Sequence, residues 1–158
     1  MKKFVAILMT LCMLCGACCA MADMEIPTWD SMPGVVSEIE NMTVDEAAFQ
    51  GEWILDTAFL DTEYLGREEL DESFGFNFMP ICIADHRITQ DVQNEFGEFV
   101  TLETTYEFEG GQIVGKDGRG QEFAIELLEN GNIVLSVFYP EEGDTVKCLS
   151  LFLVHPVE

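Results

Sequence analysis

Glycine punctuates the second half of this chain at short intervals, and that constrains its fold more than any other feature. Five strand-like runs, at 98–108, 112–116, 121–128, 133–139 and 145–155, are separated by Glu109-Gly110-Gly111, Asp117-Gly118-Arg119-Gly120, Asn130-Gly131 and Glu141-Glu142-Gly143-Asp144. Each interruption holds a Gly able to take positive φ, and Asn-Gly is the strongest short hairpin signal. Connections this short force neighbouring strands to be antiparallel. The runs therefore form a meander.

The first half supplies the remaining strands. From Trp53 the pattern has period two: Trp53, Leu55, Thr57 and Phe59 share one side, with Glu52 and Asp56 opposite. Residues 61–73 are polar and acidic, with a helical turn expected at Arg67-Glu68-Glu69-Leu70. An aromatic run over 74–83 is broken by Gly75 and Pro80. Because Pro has no N–H, that strand lies at an edge, is bulged, or starts after Pro80. A short strand over 86–92 pairs back. The total is about eight strands in an all-β, antiparallel, up-and-down barrel, whose closure removes exposed edges. Before it, Thr43-Val44-Asp45-Glu46 has the form of a capping box and predicts a short N-terminal helix over 44–50, ended by Gly51.

Two runs, Ile133 to Phe138 and Leu149 to Val154, are apolar on both faces. Such strands must be covered on both sides. The barrel interior is one cover. The short helix and the arm before it, with Ile26, Trp29 and Met32, are the free elements able to supply the other.

The N-terminus reads as a leader. Lys2 and Lys3 precede an apolar run from Phe4 to Leu14, and Ala20-Met21-Ala22 offers a small-x-small cleavage pattern. The run is shorter than the roughly 20 residues that span a bilayer. The expected organisation is a signal peptide over 1–22, an arm or linker over 23–42 and a barrel domain over 43–158, with no transmembrane segment once the leader is gone. The expected location is secreted; the alternative is a lipid anchor through Cys18 or Cys19 at the cell surface. The leader takes two of the 7 basic residues and none of the 30 acids, leaving a net charge of 5 − 30 = −25. That excludes nucleic acid and anionic membrane surfaces as partners. Four of the 6 Cys go with the leader. Cys82 and Cys148 remain, either bridged in an oxidising compartment or buried as free thiols.

A short helix, then Gly51-x-Trp53 opening the first strand, a loop–helix insertion and a hairpin meander: from residue 44 onward the chain resembles the small lipocalin-like domains of secreted bacterial proteins. The resemblance implies that Trp53 plugs the closed end of the barrel. It also implies an Arg near the end of the last strand packed on that Trp, and here His155 is the only basic residue after Cys148.

Chemistry is sparse. Asp85-His86 places an acid beside a base, and His155 is the only other His, with no nucleophile motif near either. Among 30 acids, chance carboxylate pairs mean little. The acidic Gly segments fit turns better than calcium loops. No metal site or cofactor is expected. The aromatics Phe76, Phe78, Tyr106, Phe108 and Phe123, with Phe74 beside them, lie on runs expected to wall one end of a barrel just wide enough for one small ligand. The expected function is thus a non-enzymatic binding module for a small apolar ligand. The alternative is a structural or protein-interaction domain with a filled core.

Overall fold

The computed structural model describes residues 26–36, 43–74, 77–94, 96–140 and 146–157. The expected leader at 1–22 lies outside them, as does the acidic turn at 141–145. The strands are β1 (Gly51–Leu60), β2 (Glu63–Tyr64), β3 (Ile81–Ala84), β4 (Arg87–Gln93), β5 (Phe99–Glu109), β6 (Gln112–Lys116), β7 (Glu122–Leu127), β8 (Ile133–Pro140) and β9 (Val146–Val154). One α-helix, α1 (Arg67–Phe74), and two 3₁₀ turns, Trp29–Ser31 and Glu46–Phe49, complete the described elements. From β3 to β9 every strand pairs antiparallel with the next, β1 pairs β3, and β9 returns to β1. This is the expected closed, eight-stranded, up-and-down barrel. The two-residue β2, not anticipated, is a short ribbon on the end of β1. β3 starts directly after Pro80, whose missing N–H bars it from the ladder.

Closure depends on β1 serving two neighbours. Its start, Gly51 to Trp53, pairs β3, and Ile54 to Leu60 pairs β9. A register shift lies between Leu55 and Thr57. Such a bulge inserts an extra residue and bends the strand. It also reverses the faces beyond it. Thr57 and Phe59 were expected beside Trp53, but Ala58 joins Trp53 in the main core and Phe59 belongs to a separate cluster on the outside.

Three hairpins repeat one turn. In Asn94–Glu98, Asp117–Gln121 and Leu128–Asn132 the first N–H donates to the last carbonyl, and the fourth-position Gly N–H donates to the first carbonyl. That fourth residue, Gly97, Gly120 or Gly131, has φ of 80, 82 or 83°. Asn130-Gly131 thus marks a hairpin as expected, with the longer loop that ends in a left-handed residue.

The barrel interior is filled by its own side chains. Trp53, Ile83, Ile113, Ile125, Ile133 and Leu151 are buried there, among others. At the end where β1 begins, Phe49 of the Glu46–Phe49 turn and Val44 just before that turn join the same core. The expected α-helix is only this single 3₁₀ turn, and its cap is Asp45, which accepts from the Ala47 N–H at 3.0 Å, rather than Thr43. The chain must already be extended at Gln50 to enter β1, which leaves no length for an α-turn. At the opposite end Leu70 of α1 is buried in the core.

The arm lies on the outside of the barrel. Trp29 meets Phe59 and Phe152 edge-on, with ring centroids 5.5 and 6.0 Å away. Met32 and Val35 pack on the cluster of Phe59, Leu128, Val134 and Phe152. Val35 bridges to Leu128, and the Glu129 N–H donates to the Gly34 carbonyl at 2.9 Å. Among the described residues, the outer cover expected for the last two strands is therefore this arm, not the arm and helix together. The 3₁₀ turn after it closes the barrel end instead. Cys82 and Cys148 are both free. Cys82 pairs with Glu52 at one end of β1, while the Cys148 N–H donates to Asp61 beyond the other. Nine residue steps of near-extended chain, roughly 30 Å at 3.3 Å each, separate those points, far beyond disulfide reach.

Candidate interaction surface

The structure distributes the aromatics expected to wall one end of the barrel between both ends. Tyr106 and Phe108 sit at the end closed by the 3₁₀ turn, where Phe108 meets Phe49 edge-on at 6.0 Å. Phe123 lies across the barrel wall over Gly115, its cross-strand partner. A Cβ at Gly115 would sit 2.6 Å from that ring, so the ring fills the place of the missing side chain. Phe78 packs on the core near α1, with the Arg67 guanidinium 3.8 Å over its ring. Phe76 and the side chain of Phe74 lie outside the described residues.

Each of the two histidines has a structural partner. His155 stacks on the fully buried Trp53 with centroids 3.7 Å apart, and its Nδ1 lies 3.0 Å from the Glu52 carbonyl. It occupies the place that the lipocalin resemblance gives to an Arg. Its position just past β9, facing the start of β1, is the signal that could have revealed it. His86 occupies the two-residue β3–β4 turn, where Asp85 and His86 both have positive φ, 50 and 58°. Its Nδ1 lies 3.3 Å from a Glu46 carboxylate oxygen. The Tyr106 hydroxyl donates to the same oxygen at 2.9 Å and accepts from Gln50 at 3.0 Å. This polar cluster ties the 3₁₀ turn to β5.

Burial, assisted by the Glu46 carboxylate, raises the Tyr106 hydroxyl above the ordinary tyrosine value of 10.0, although the Gln50 hydrogen bond opposes it. Burial likewise raises Tyr139, with Arg119 opposing. A phenol held protonated more tightly in the folded state stabilises the fold below the unfolded value, and that contribution is lost as pH rises through the folded value. Stability to urea is therefore expected to fall as pH rises above about 10, and replacing both tyrosines by Phe should flatten that alkaline slope. A slope unchanged in the double variant would mean that neither phenol is linked to folding. A raised phenol is also a poor nucleophile at neutral pH, so the cluster has the character of a latch. Among the described residues, no three His, Cys, Asp or Glu side chains gather as metal ligands do. Nor is any described helix long and apolar enough to cross a membrane.

What the barrel does present is an overlong hairpin. β5 pairs β4 from Phe99 to Thr105, but its ladder to β6 begins only at Tyr106. Likewise, β3 reaches β4 only as far as Gln90. The β4–β5 ribbon thus projects past its neighbours. Its apolar side chains are exposed: Phe96 86%, Phe99 65%, Leu102 56% and Val100 41%. Met79, beside its base, is 41% exposed. Gln90 holds this region in place by donating to the carbonyls of Asn77 and Met79 at 3.0 and 2.8 Å. Below the ribbon, the outer faces of β5 to β8 form an open depression of about 770 Å³. Val114, Ala124 and Phe138 floor it, and Glu107, Glu122 and Glu126 rim it. Sequence reasoning missed this surface because alternation along β5 marks Val100 and Leu102 as inward-facing. It cannot show that the neighbouring strand stops short. No protein-family model matches the chain and no curated protein is similar to it in sequence, so the closed barrel itself, consistent with a lipocalin-like fold, is the firmest likeness.

Proposed function

We propose that this chain is an exported, non-enzymatic, lipocalin-like barrel that works as a protein-interaction domain. The observation that carries this reading is the apolar β4–β5 ribbon, which exposes Phe96, Phe99, Val100 and Leu102 beside a packed barrel. Soluble monomers tend to avoid contiguous apolar patches, and those they keep usually bind something. The interior argues the same way. A small eight-stranded barrel holds a ligand only if its side chains leave room. Here Trp53, Phe49 and Leu70 reach in from the two ends to meet the strand side chains. Two open depressions, one over β5 to β8 and one between Ala84 and Glu103, lie on the outer wall. These features favour the interaction domain over the small-apolar-ligand carrier. Export rests on Lys2, Lys3, the apolar run after them and Ala20-Met21-Ala22. Membership of the lipocalin family rests on Gly51-x-Trp53 and the barrel.

A photo-cross-linking residue placed at position 96 or 102 in the native host is expected to give a discrete protein adduct. The same residue at Glu63, on the exposed β2, should not. If no adduct forms, and protein from the host instead carries an apolar small molecule whose removal lowers the melting temperature, the ligand-carrier reading replaces this one.

A further inference from the structure

We propose that the open edge of β5, from Phe99 to Glu103, accepts an extended, basic and apolar segment of a partner protein as an added β-strand. The inference rests on the interaction-domain reading and specifies how it works. Its first support is the backbone. Residues of an antiparallel strand alternately direct their N–H and C=O groups to one neighbour and then the other. The Tyr106 N–H donates to the His86 carbonyl, toward β4, at 3.2 Å. By alternation Phe99, Thr101 and Glu103 aim their backbone groups the other way. There, among the described residues, no strand pairs with them. β6 ends at Lys116 and turns away through Asp117–Gln121. Thr104 marks the corner of the vacant position by donating its hydroxyl to the Lys116 carbonyl at 2.9 Å.

The side chains beside this edge are the second support. Native proteins blunt open edges with Lys, Pro, bulges or very short strands. Phe99-Val100-Thr101-Leu102 has none of these, and Phe99, Val100 and Thr101 are good strand formers. Val100 and Leu102 share the face of Tyr106 and Phe108, while Phe99 lies on the other, so apolar surface flanks the edge on both sides. An added strand with alternating apolar side chains would cover Leu102 and Val100.

Charge selects the occupant. Asp91, Glu98 and Glu103 lie along the ribbon, and Glu107 and Glu122 continue the acidic line below it. Two nearby cations are already engaged: Arg87 with Glu103 at 3.4 Å and Lys116 with Glu122 at 3.3 Å. A second copy of this chain, with a net charge of −23, would bring the same acids to the same edge. Like-charge juxtaposition discriminates against that partner and in favour of one with Lys or Arg on its outward positions.

The test uses a short peptide alternating valine and lysine, its valine–glutamate twin, and the full exported protein. The lysine peptide is expected to slow amide hydrogen exchange at Thr101 and Glu103 by about tenfold or more, and the glutamate twin to leave it unchanged. Thr101→Pro removes an N–H aimed at the vacant position and leaves the β4 backbone ladder and the charge intact, while Thr101→Val, which keeps that N–H, controls for the lost Thr101 hydroxyl hydrogen bond to Asp91 at 2.6 Å. Relative to Thr101→Val, the proline variant should weaken binding of the lysine peptide about tenfold. Should that variant fail to fold, the exchange measurement on the wild type decides alone. Binding that survives Thr101→Pro, or that leaves Thr101 and Glu103 unprotected, would overturn strand addition. Adducts at positions 96 and 102 would then still uphold an interaction domain that docks by apolar contact only. A wild-type dimer that Thr101→Pro dissolves would overturn the proposal in favour of self-pairing.

Discussion

Trp53→Ala is expected to lower the free energy of unfolding by about 3–5 kcal/mol, the cost of truncating a fully buried aromatic whose site cannot collapse. Three contacts meet at this side chain. Its indole N–H donates to the Phe49 carbonyl at 2.8 Å, so the 3₁₀ turn that closes the barrel end hangs on it. Its face stacks on His155 at 3.7 Å, which holds the chain leaving β9 against the start of β1. Its edges pack in the core that spans the barrel. Removing the ring leaves a cavity, an unpaired carbonyl and a loosened seam between the first and last strands. Urea denaturation monitored by far-ultraviolet circular dichroism measures the effect. Trp53→Phe separates the terms, because it keeps most of the volume and loses the hydrogen bond, worth about 0.5–1.5 kcal/mol. A loss below about 1 kcal/mol for Trp53→Ala would show that the end plug does not depend on this residue.

Much of this fold was legible in the sequence because its governing signals are local. Gly at positions 97, 110, 111, 120 and 131 takes positive φ, and each hairpin can be read from a few adjacent residues. The boundaries of β6 follow directly from Gly111 before it and Asp117 after it. The parts that escaped are those set by a partner distant in the chain. The bulge between Leu55 and Thr57 is imposed on β1 by its change of neighbour from β3 to β9, and nothing in Leu55-Asp56-Thr57 announces it. Plain alternation from Trp53 therefore puts Phe59 inside, one residue out of step with the strand beyond the bulge. The Thr43 capping box is real as a pattern, but Gly51 must enter β1, and Asp45 caps the short turn that remains. The aromatics were assigned to one wall because their strands alternate correctly. Which end of a strand a residue occupies depends on register, and register placed Tyr106 beside Glu46 and Phe123 over Gly115. The candidate interaction surface was the least legible part. An exposed Leu102 looks like a core residue until the length of β6 is known.

The outer arm carries the second large expectation. A chain beginning at Thr43 keeps the 3₁₀ turn and the whole barrel, but it lacks Trp29, Met32, Val35 and Val36. It is expected to be less stable by about 2–4 kcal/mol, since each buried apolar side chain is worth about 1.5–3 kcal/mol before the ordering entropy of the arm is offset. The larger consequence is exposure. Phe59, Leu128, Val134 and Phe152 form one contiguous apolar cluster on β1, β8, β9 and the β7–β8 turn, and the arm is the cover the structure gives them. Uncovered, they should bind a hydrophobic dye and drive self-association. Because the truncated chain keeps 5 basic and 25 acidic residues, a net charge of 5 − 25 = −20, that association should strengthen with added salt, as the repulsion between copies is screened within about 10 Å at 0.1 M. Trp29→Ser should shift all three readouts in the same direction by less, because it removes one edge-on contact each to Phe59 and Phe152 and leaves Val35 bridged to Leu128. A truncated chain that stays monomeric, binds no dye and keeps its melting temperature would mean that the arm contributes nothing to the cover. The outer face of β8 and β9 would then be a second surface for a partner, and the β4–β5 ribbon would have to share the interaction role with it.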